Sequence, residues 1–225
     1  NKGKKYFIAV SNMATTMFGS VDNPDVYTSA LEKHNVTYRL HIDGAYGGFV
    51  YPFSNQNSKI NFSNPKISSI TIDAHKMLQA PYGTGIFVCR KGLIENVLTK
   101  EAEYVEGMDL TLCGSRSGAN AVAVWMILFT YGAYGWFEKV SILQMRTQFL
   151  CNELDHLNIK YFREPFMNIV TIHSESIPEK IAEKYDLVPQ QHNENNKWYK
   201  IVLMDHVEVE HLTKFIDELK ASVNG

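Results

Sequence analysis

The stretch YRLHIDGAYGGF, residues 38–49, joins a short strand-like segment to a carboxylate and three glycines. The segment Tyr38–Ile42 predicts a β-strand, and Asp43 follows at its carboxyl end. The apolar run Tyr6–Val10 and the segments Ile67–Ile72 and Gly85–Arg90 predict further strands. With a helix predicted over residues 25–34, the alternation of strands and helices favours an α/β fold with a largely parallel sheet. The continuous apolar character of Tyr6–Val10 is typical of a strand that is covered on both faces.

The second half of the chain has a different pattern. Long segments predict helices over residues 120–137 and 141–157. The apolar run Ala121–Tyr131 within the first of them is too short to span a bilayer, and we expect it to be a buried helix. After Asn158, shorter patterns predict a small α/β subdomain. Its elements are a strand within 161–172, a helix over 178–185, a strand over 198–204 and a helix over 209–222.

The amino-acid composition limits the classes of protein to which this chain can belong. The chain has 225 residues, 45% of them hydrophobic, which is enough to build a core. The formal net charge is −2, so we expect neither a nucleic acid nor a membrane as partner. Three cysteines, Cys89, Cys113 and Cys151, form no CxxC pair and are expected to be free thiols in a reducing compartment. These features predict a cytoplasmic protein without a metal site.

Polar residues follow three of the predicted strands. They are Thr15-Thr16 after the first strand, Asp43 after the second, and Asp73, His75 and Lys76 after the third. Ligands of open α/β sheets bind at the carboxyl ends of the strands, so these side chains are expected to converge if the strands are parallel neighbours. A lysine amine that forms a Schiff base and a carboxylate that pairs with a pyridinium nitrogen are what pyridoxal phosphate requires.

Each of these residues also has a simpler interpretation. Asp43 before Gly44 can open a turn, and Thr15-Thr16 can belong to an ordinary loop. The pair His75-Lys76 after a strand can be solvated surface. The glycines form neither a GxGxxG dinucleotide fingerprint nor a phosphate-binding loop. The residues alone therefore leave a cofactor site and ordinary loops as alternatives.

Four segments, in this order and spacing, resemble the group II pyridoxal-phosphate-dependent decarboxylases. They are ATTMFGSVDN (14–23), YRLHIDGAYGGF (38–49), ITIDAHKMLQAPYGTGIF (70–87) and CGSRSG (113–118). The resemblance covers roughly residues 6 to 157, and the family includes glutamate, aromatic-amino-acid, histidine, serine and tyrosine decarboxylases. It implies a fold type I pyridoxal-phosphate enzyme in which residues 1–140 form part of the cofactor-binding large domain and 141–225 a small α/β domain. It also implies a homodimer.

The resemblance implies roles at the matching positions of the sheet edge. Lys76 would form the Schiff base with pyridoxal 5′-phosphate, and Asp43 would bind the pyridine nitrogen. Ala45 would pack against one face of the ring. His75, with Asp73, would lie by the phosphate group.

Further roles are implied outside that edge. Thr16 would lie near the cofactor ring or its hydroxyl group. The stretch 100–117 corresponds to the family's mobile catalytic loop, in which Tyr104 is the tyrosine that could protonate the product, or a simple loop aromatic. Ser115 and Arg116 would face the partner subunit's cofactor or the substrate carboxylate.

Members of the family are longer than this chain. The sequence begins without Met and enters a strand almost at once, so it is expected to be the C-terminal part of an enzyme that is inactive without its missing N-terminal half. The function implied is decarboxylation of an L-amino acid to a primary amine and carbon dioxide by a carboxy-lyase. The alternatives are a carbon–carbon lyase or aminotransferase of the same fold type, or an inactive fragment that only binds cofactor or partner. The sequence does not identify the amino acid.

Overall fold

The structure is a computed structural model that describes residues 3, 5–97, 116–190 and 197–223. The chain folds as two compact units. The first comprises Asn1–Asn12, Asp22–Phe49 and Asn57–Gly132, and the second comprises Met13–Val21, Val50–Gln56 and Ala133–Gly225. The assignment of residues 1–140 to a cofactor-binding domain and of 141–225 to a small domain stays a prediction.

The first unit is built on a four-stranded sheet. Its strands are β1 (Tyr6–Asn12), β2 (Thr37–Asp43), β3 (Ile67–Asp73) and β4 (Gly85–Cys89), and they lie in the order β1-β2-β3-β4. The first three are parallel, whereas β4 runs antiparallel to β3. Parallel neighbours need a crossover connection, and α1 (Pro24–Lys33) provides it between β1 and β2. The largely parallel sheet is thereby confirmed, with β4 as an antiparallel edge.

Local sequence explains where α1 begins. The side chain of Asn23 accepts a hydrogen bond from the Asp25 N–H at 3.0 Å, which is N-terminal capping, and Pro24 fits the first turn because it has no N–H to satisfy. Beside the helix, alternate residues of the sheet face inward, and Leu40 and Ile42 are fully buried. This side of the sheet holds the core of the first unit.

The opposite face of the sheet is exposed. Tyr6, Ile8 and Val10 alternate with more buried neighbours along β1 and are 77%, 78% and 50% exposed. The apolar run forms a strand, as predicted, and its second face has no cover within the described part of the chain. Cover on both faces in a complete enzyme stays a prediction.

The loops also contain the short helix α2 (Tyr51–Ser54) and three 3₁₀ turns, Gly47–Phe49, Ile94–Val97 and Ser174–Ser176. The two helices that the sequence predicts are the two parts of α3 (Gly118–His156), which meet at Gly132. Residues 138–140, the expected break, are helical, and the interruption lies at Gly132, whose φ of 58° suits a residue without Cβ.

The start of α3 also differs from expectation. The apolar run Ala121–Tyr131 is helical, as predicted, but it is not buried: Val122, Trp125 and Phe129 are 55%, 60% and 76% exposed. Among the described residues, no helix is long and apolar enough to cross a membrane. Like the open face of the sheet, the exposed apolar stretch has no cover in the described chain.

The second unit pairs a small antiparallel sheet with helices. Its strands are β5 (Tyr161–Phe162), β6 (Ile169–His173), β7 (Val188–Pro189) and β8 (Trp198–Val202), in the order β5-β6-β8-β7. The helices are α4 (Glu179–Lys184) and α5 (Val209–Val223). In α5, Leu212, Phe215, Ile216 and Leu219 recur with helical spacing and are all buried in one core cluster with the sheet.

Gly48 provides a test of how the loop after β2 packs. A Cβ at this position would lie 2.9 Å and 3.0 Å from two side-chain carbons of Ile72, closer than carbon atoms tolerate. We expect Gly48→Ala to lower the free energy of unfolding by about 1–3 kcal/mol, because the partly buried side chain of Ile72 must move.

Urea denaturation followed by circular dichroism measures this change. Gly118→Ala is the matched control, since its Cβ would meet nothing within 4 Å and alanine favours a helix. Equal stability of the two variants would contradict the packing described.

Candidate active site

The loop after β2 is fixed by backbone contacts with β3. An oxygen of the Asp43 carboxylate accepts a hydrogen bond from the Ala45 N–H at 3.1 Å, so Asp43 does open a turn. The Gly44 N–H donates to the carbonyl of Thr71 at 2.9 Å. A Cβ at Gly44 would lie 3.1 Å from that oxygen, so this position favours glycine because the two backbones approach closely.

The loop after β3 holds the lysine. The Nζ of Lys76 lies 3.0 Å from Oδ2 of Asp73, and the Lys76 side chain is 41% exposed, which leaves the amine accessible. The same carboxylate oxygen lies 4.0 Å from Nε2 of His75. The imidazole of His75 is oriented from its other side, where Nδ1 is 3.1 Å from the carbonyl oxygen of Thr84.

The two loops meet at one point. The N–H of Asp73 donates to the carbonyl of Ala45 at 3.0 Å. Asp43, Ala45, Asp73, His75 and Lys76 therefore gather at the carboxyl ends of two neighbouring parallel strands, as the sequence predicts. The simpler interpretation of Asp43, that it opens a turn, also holds, because the turn and the convergence of these residues are both present.

Thr16 belongs to the second unit. There its carbonyl accepts a hydrogen bond from Nζ of Lys200 at 3.0 Å, and the neighbouring Thr15 hydroxyl accepts one from the N–H of Ser20 at 3.1 Å. The second contact is ordinary loop chemistry. The predicted position of Thr16 by the cofactor stays a prediction.

Two predicted residues, Tyr104 and Ser115, lie outside the described residues. Their roles as proton donor and cofactor contact stay predictions. Arg116 is described, at the start of the segment that leads into α3, and its role also stays a prediction. Among the described residues, no group of three or more His, Cys, Asp or Glu side chains could hold a metal ion.

The sequence patterns did not single out His41, which the structure connects to this edge of the sheet. Its Nδ1 lies 2.8 Å from the hydroxyl of Ser69, and its Nε2 lies 2.9 Å from the hydroxyl of Thr71. Burial lowers the pKa of the imidazole, and the charge of Asp43 opposes that shift. Strand periodicity could have found the residue, because positions 41 and 43 of one strand face the same side.

The chemistry of these side chains fits pyridoxal 5′-phosphate. An accessible amine is available for its aldehyde, a carboxylate for its ring nitrogen, and a small side chain at Ala45 leaves room for a flat ring. An imidazole beside the amine adds a hydrogen-bonding group for an anion. The residues present therefore match what the cofactor needs from a protein.

Comparison with known proteins agrees with this chemistry. A family model described as the pyridoxal-dependent decarboxylase conserved domain matches residues 1–162. A tryptophan decarboxylase of Clostridium sporogenes is 59% identical over 97% of this chain and 52% of its own length. A probable L-tyrosine/L-aspartate decarboxylase of Methanocella arvoryzae is 31% identical over 96% of this chain and 58% of its own length. The chain thus spans about half the length of these curated relatives.

Solved structures confirm the fold class. A sphingosine-1-phosphate lyase of Burkholderia pseudomallei superposes with a TM-score of 0.79 at 18% identity, covering 96% of this chain and 52% of its own. A glutamate decarboxylase of Lactobacillus brevis gives a TM-score of 0.76 at 20% identity, with 96% and 54% covered. Both are fold type I pyridoxal-phosphate enzymes, and at these identities the likeness concerns the fold.

Proposed function

The chain belongs to the pyridoxal-dependent decarboxylase family, and on that premise we propose that it is the lysine-bearing part of an amino-acid decarboxylase. The reaction proposed converts an L-amino acid to the primary amine and carbon dioxide. The observation that carries the proposal is the convergence of Lys76, its partner Asp73, and Asp43 at one edge of a parallel sheet.

When bound, pyridoxal 5′-phosphate supplies an aldehyde for an amine and a protonated ring that withdraws electrons from the bond to the carboxylate. We assign Lys76 as the amine that holds the cofactor, and the Asp73 carboxylate, 3.0 Å away, as the group that orients it. Asp43 would bind the proton on the ring nitrogen, and Ala45 would lie against one ring face. His75, oriented by the Thr84 carbonyl, serves the phosphate group.

For the substrate we propose an aromatic L-amino acid, with tryptophan first. The support is the 59% identity to a protein named tryptophan decarboxylase, far above the 31% identity to the probable L-tyrosine/L-aspartate decarboxylase. Identity of this extent over 97% of the chain makes a shared substrate class the simplest inference.

We further propose that a second polypeptide segment, the N-terminal half, completes the enzyme. The relatives are about twice as long as this chain. Parallel sheets occur almost only with both faces covered, yet Tyr6, Ile8 and Val10 are exposed on one face of β1. The exposed apolar side chains at the start of α3, such as Phe129, are of the size that interfaces bury. A homodimer of the completed enzyme is part of the same proposal.

The proposed location is the cytoplasm. Cys89 and Cys151 are free thiols in the described chain, which suits a reducing compartment.

The first prediction concerns the cofactor linkage. Reduction of the complete protein with borohydride in the presence of pyridoxal 5′-phosphate should leave a pyridoxyl group on Lys76, because an imine between them becomes a stable amine. Peptide mass spectrometry locates the group. Lys76→Ala should lose it, whereas Lys91→Ala, in an exposed turn after β4, should retain it. A pyridoxyl group on another lysine would refute the assignment of Lys76.

The second prediction concerns the reaction. The complete enzyme should release carbon dioxide and tryptamine from L-tryptophan, and Lys76→Ala should reduce the rate by about a thousandfold or more. Carbon dioxide release and chromatography of the product measure both. A keto acid as product would indicate an aminotransferase, and an aldehyde a carbon–carbon lyase, and either result would replace the proposed activity.

The third prediction concerns the open face of the sheet. If the N-terminal half covers it, Val10→Asp in the complete protein should lower the free energy of unfolding by about 3 kcal/mol or more, because it buries a charge. Val26→Asp makes the same change on α1, where the valine is 64% exposed, and should stay within about 0.5 kcal/mol of the unchanged protein. Denaturant unfolding of both variants is the measurement. Similar, small effects would mean that the face stays open.

A further inference from the structure

His41 is a side chain to which the proposed chemistry assigns no role. It lies on β2 two residues before Asp43, so both side chains point to the same face of the sheet. Its ring is partly buried and stacks on Phe87 of β4, with ring centroids 6.2 Å apart and 21° between the planes. Its position is therefore fixed by packing as well as by hydrogen bonds.

Two hydroxyl groups of β3 hold the ring at its two nitrogens, Ser69 at Nδ1 and Thr71 at Nε2. The strand register explains why they are in reach: Ser69 pairs with His41, and Thr71 pairs with Asp43. The side chain that stands beside Asp43 in the sheet is thus hydrogen-bonded to His41. A change in the imidazole is transmitted to the immediate neighbour of the carboxylate.

The protonation state of the ring decides the direction of these hydrogen bonds. Burial lowers the pKa of His41, which favours the neutral ring, in which one nitrogen donates and the other accepts. In the protonated ring both nitrogens donate, so both hydroxyl groups must accept, and their own protons become available to other acceptors. The charged or titratable side chains on the same face of the neighbouring strands are Tyr6, Arg39, Asp43, Asp73 and Cys89.

We propose that His41 is a positioning residue for Asp43, which, as a neutral imidazole held by Ser69 and Thr71, keeps the Asp43 carboxylate uncompensated and available to the cofactor's ring nitrogen. This inference rests on the proposed function. Protonation of His41 places a positive charge two residues from Asp43 and frees the Thr71 hydroxyl proton. The positive charge and the hydroxyl proton both compete with the ring nitrogen for the Asp43 carboxylate. The affinity for the cofactor should therefore fall in acid.

The test is the pH dependence of cofactor binding to the complete apoprotein. Binding is measured as the quenching of protein fluorescence when pyridoxal 5′-phosphate is added. Because the neutral imidazole is the competent form and its pKa is lowered, affinity should be full at neutral pH and fall in acid, below the usual histidine range. Relative to His41→Gln, which hydrogen-bonds without titrating, the unchanged protein should lose several-fold more affinity between about pH 8 and about pH 5. Other titrating groups are common to both proteins and cancel in this comparison.

A matched pair of variants separates the hydrogen bond from general effects on the sheet. Thr71→Val removes the hydroxyl that joins His41 to the neighbour of Asp43, and affinity should weaken about fivefold at about pH 8. Thr37→Val makes the same chemical change at an exposed position of the same strand face as His41 and should leave affinity unchanged. Equal affinities for the two variants would overturn the inference.

A readout without cofactor tests the coupling itself. The imidazole of His41, titrated by NMR in the apoprotein, should titrate at still lower pH in Asp43→Asn, because the carboxylate raises the pKa of the ring. An unchanged titration, or the same pH profile of cofactor binding in His41→Gln and the unchanged protein, would overturn this inference alone. Absence of a pyridoxyl group on Lys76 after borohydride would overturn the proposed function and this inference together.

Discussion

Two backbone hydrogen bonds, from the N–H of Asp73 to the carbonyl of Ala45 and from the N–H of Gly44 to the carbonyl of Thr71, join the segments that carry the candidate active site. They can form because β2 and β3 are parallel neighbours whose carboxyl ends lie at the same edge of the sheet. The loop after β2 passes close to the backbone of β3, which explains why glycine occupies position 44. Lys76 and Asp43 follow the ends of these two paired strands, although 33 residues separate them along the chain.

Much of this site was predictable from the sequence. Apolar runs that end in polar residues predict strands with functional side chains at one edge, and Asp43, Asp73, His75 and Lys76 are found there. The hydrogen bonds of His41 were not predictable, because they depend on the register that brings Ser69 and Thr71 within reach, and register is a property of strand pairing rather than of one strand. The break in α3 at Gly132 was missed for a related reason, since a glycine within an apolar run has no helix-ending pattern of its own.

Burial was the property that the sequence predicted least well. Tyr6–Val10 and Ala121–Tyr131 have the composition of buried elements, yet they expose large apolar side chains. The apolar composition of a segment reflects its burial in the complete protein. The structure of one chain shows only the burial that the residues of that chain provide. The disagreement is therefore informative, because it locates surfaces on the first unit where further polypeptide is expected. It also fits the observation that the relatives are about twice as long.

The close approach of Gly48 to Ile72 links two positions that are 24 residues apart in the sequence. The missing side chain of Gly48 leaves the space that the Ile72 side chain occupies, so a change in the size of one residue requires a change in the other. Among related sequences, a larger residue at position 48 should therefore be accompanied by a smaller one at position 72, such as valine or alanine. Because Ile72 immediately precedes Asp73, the partner of Lys76, this contact ties the loop after β2 to the strand end that carries the candidate site.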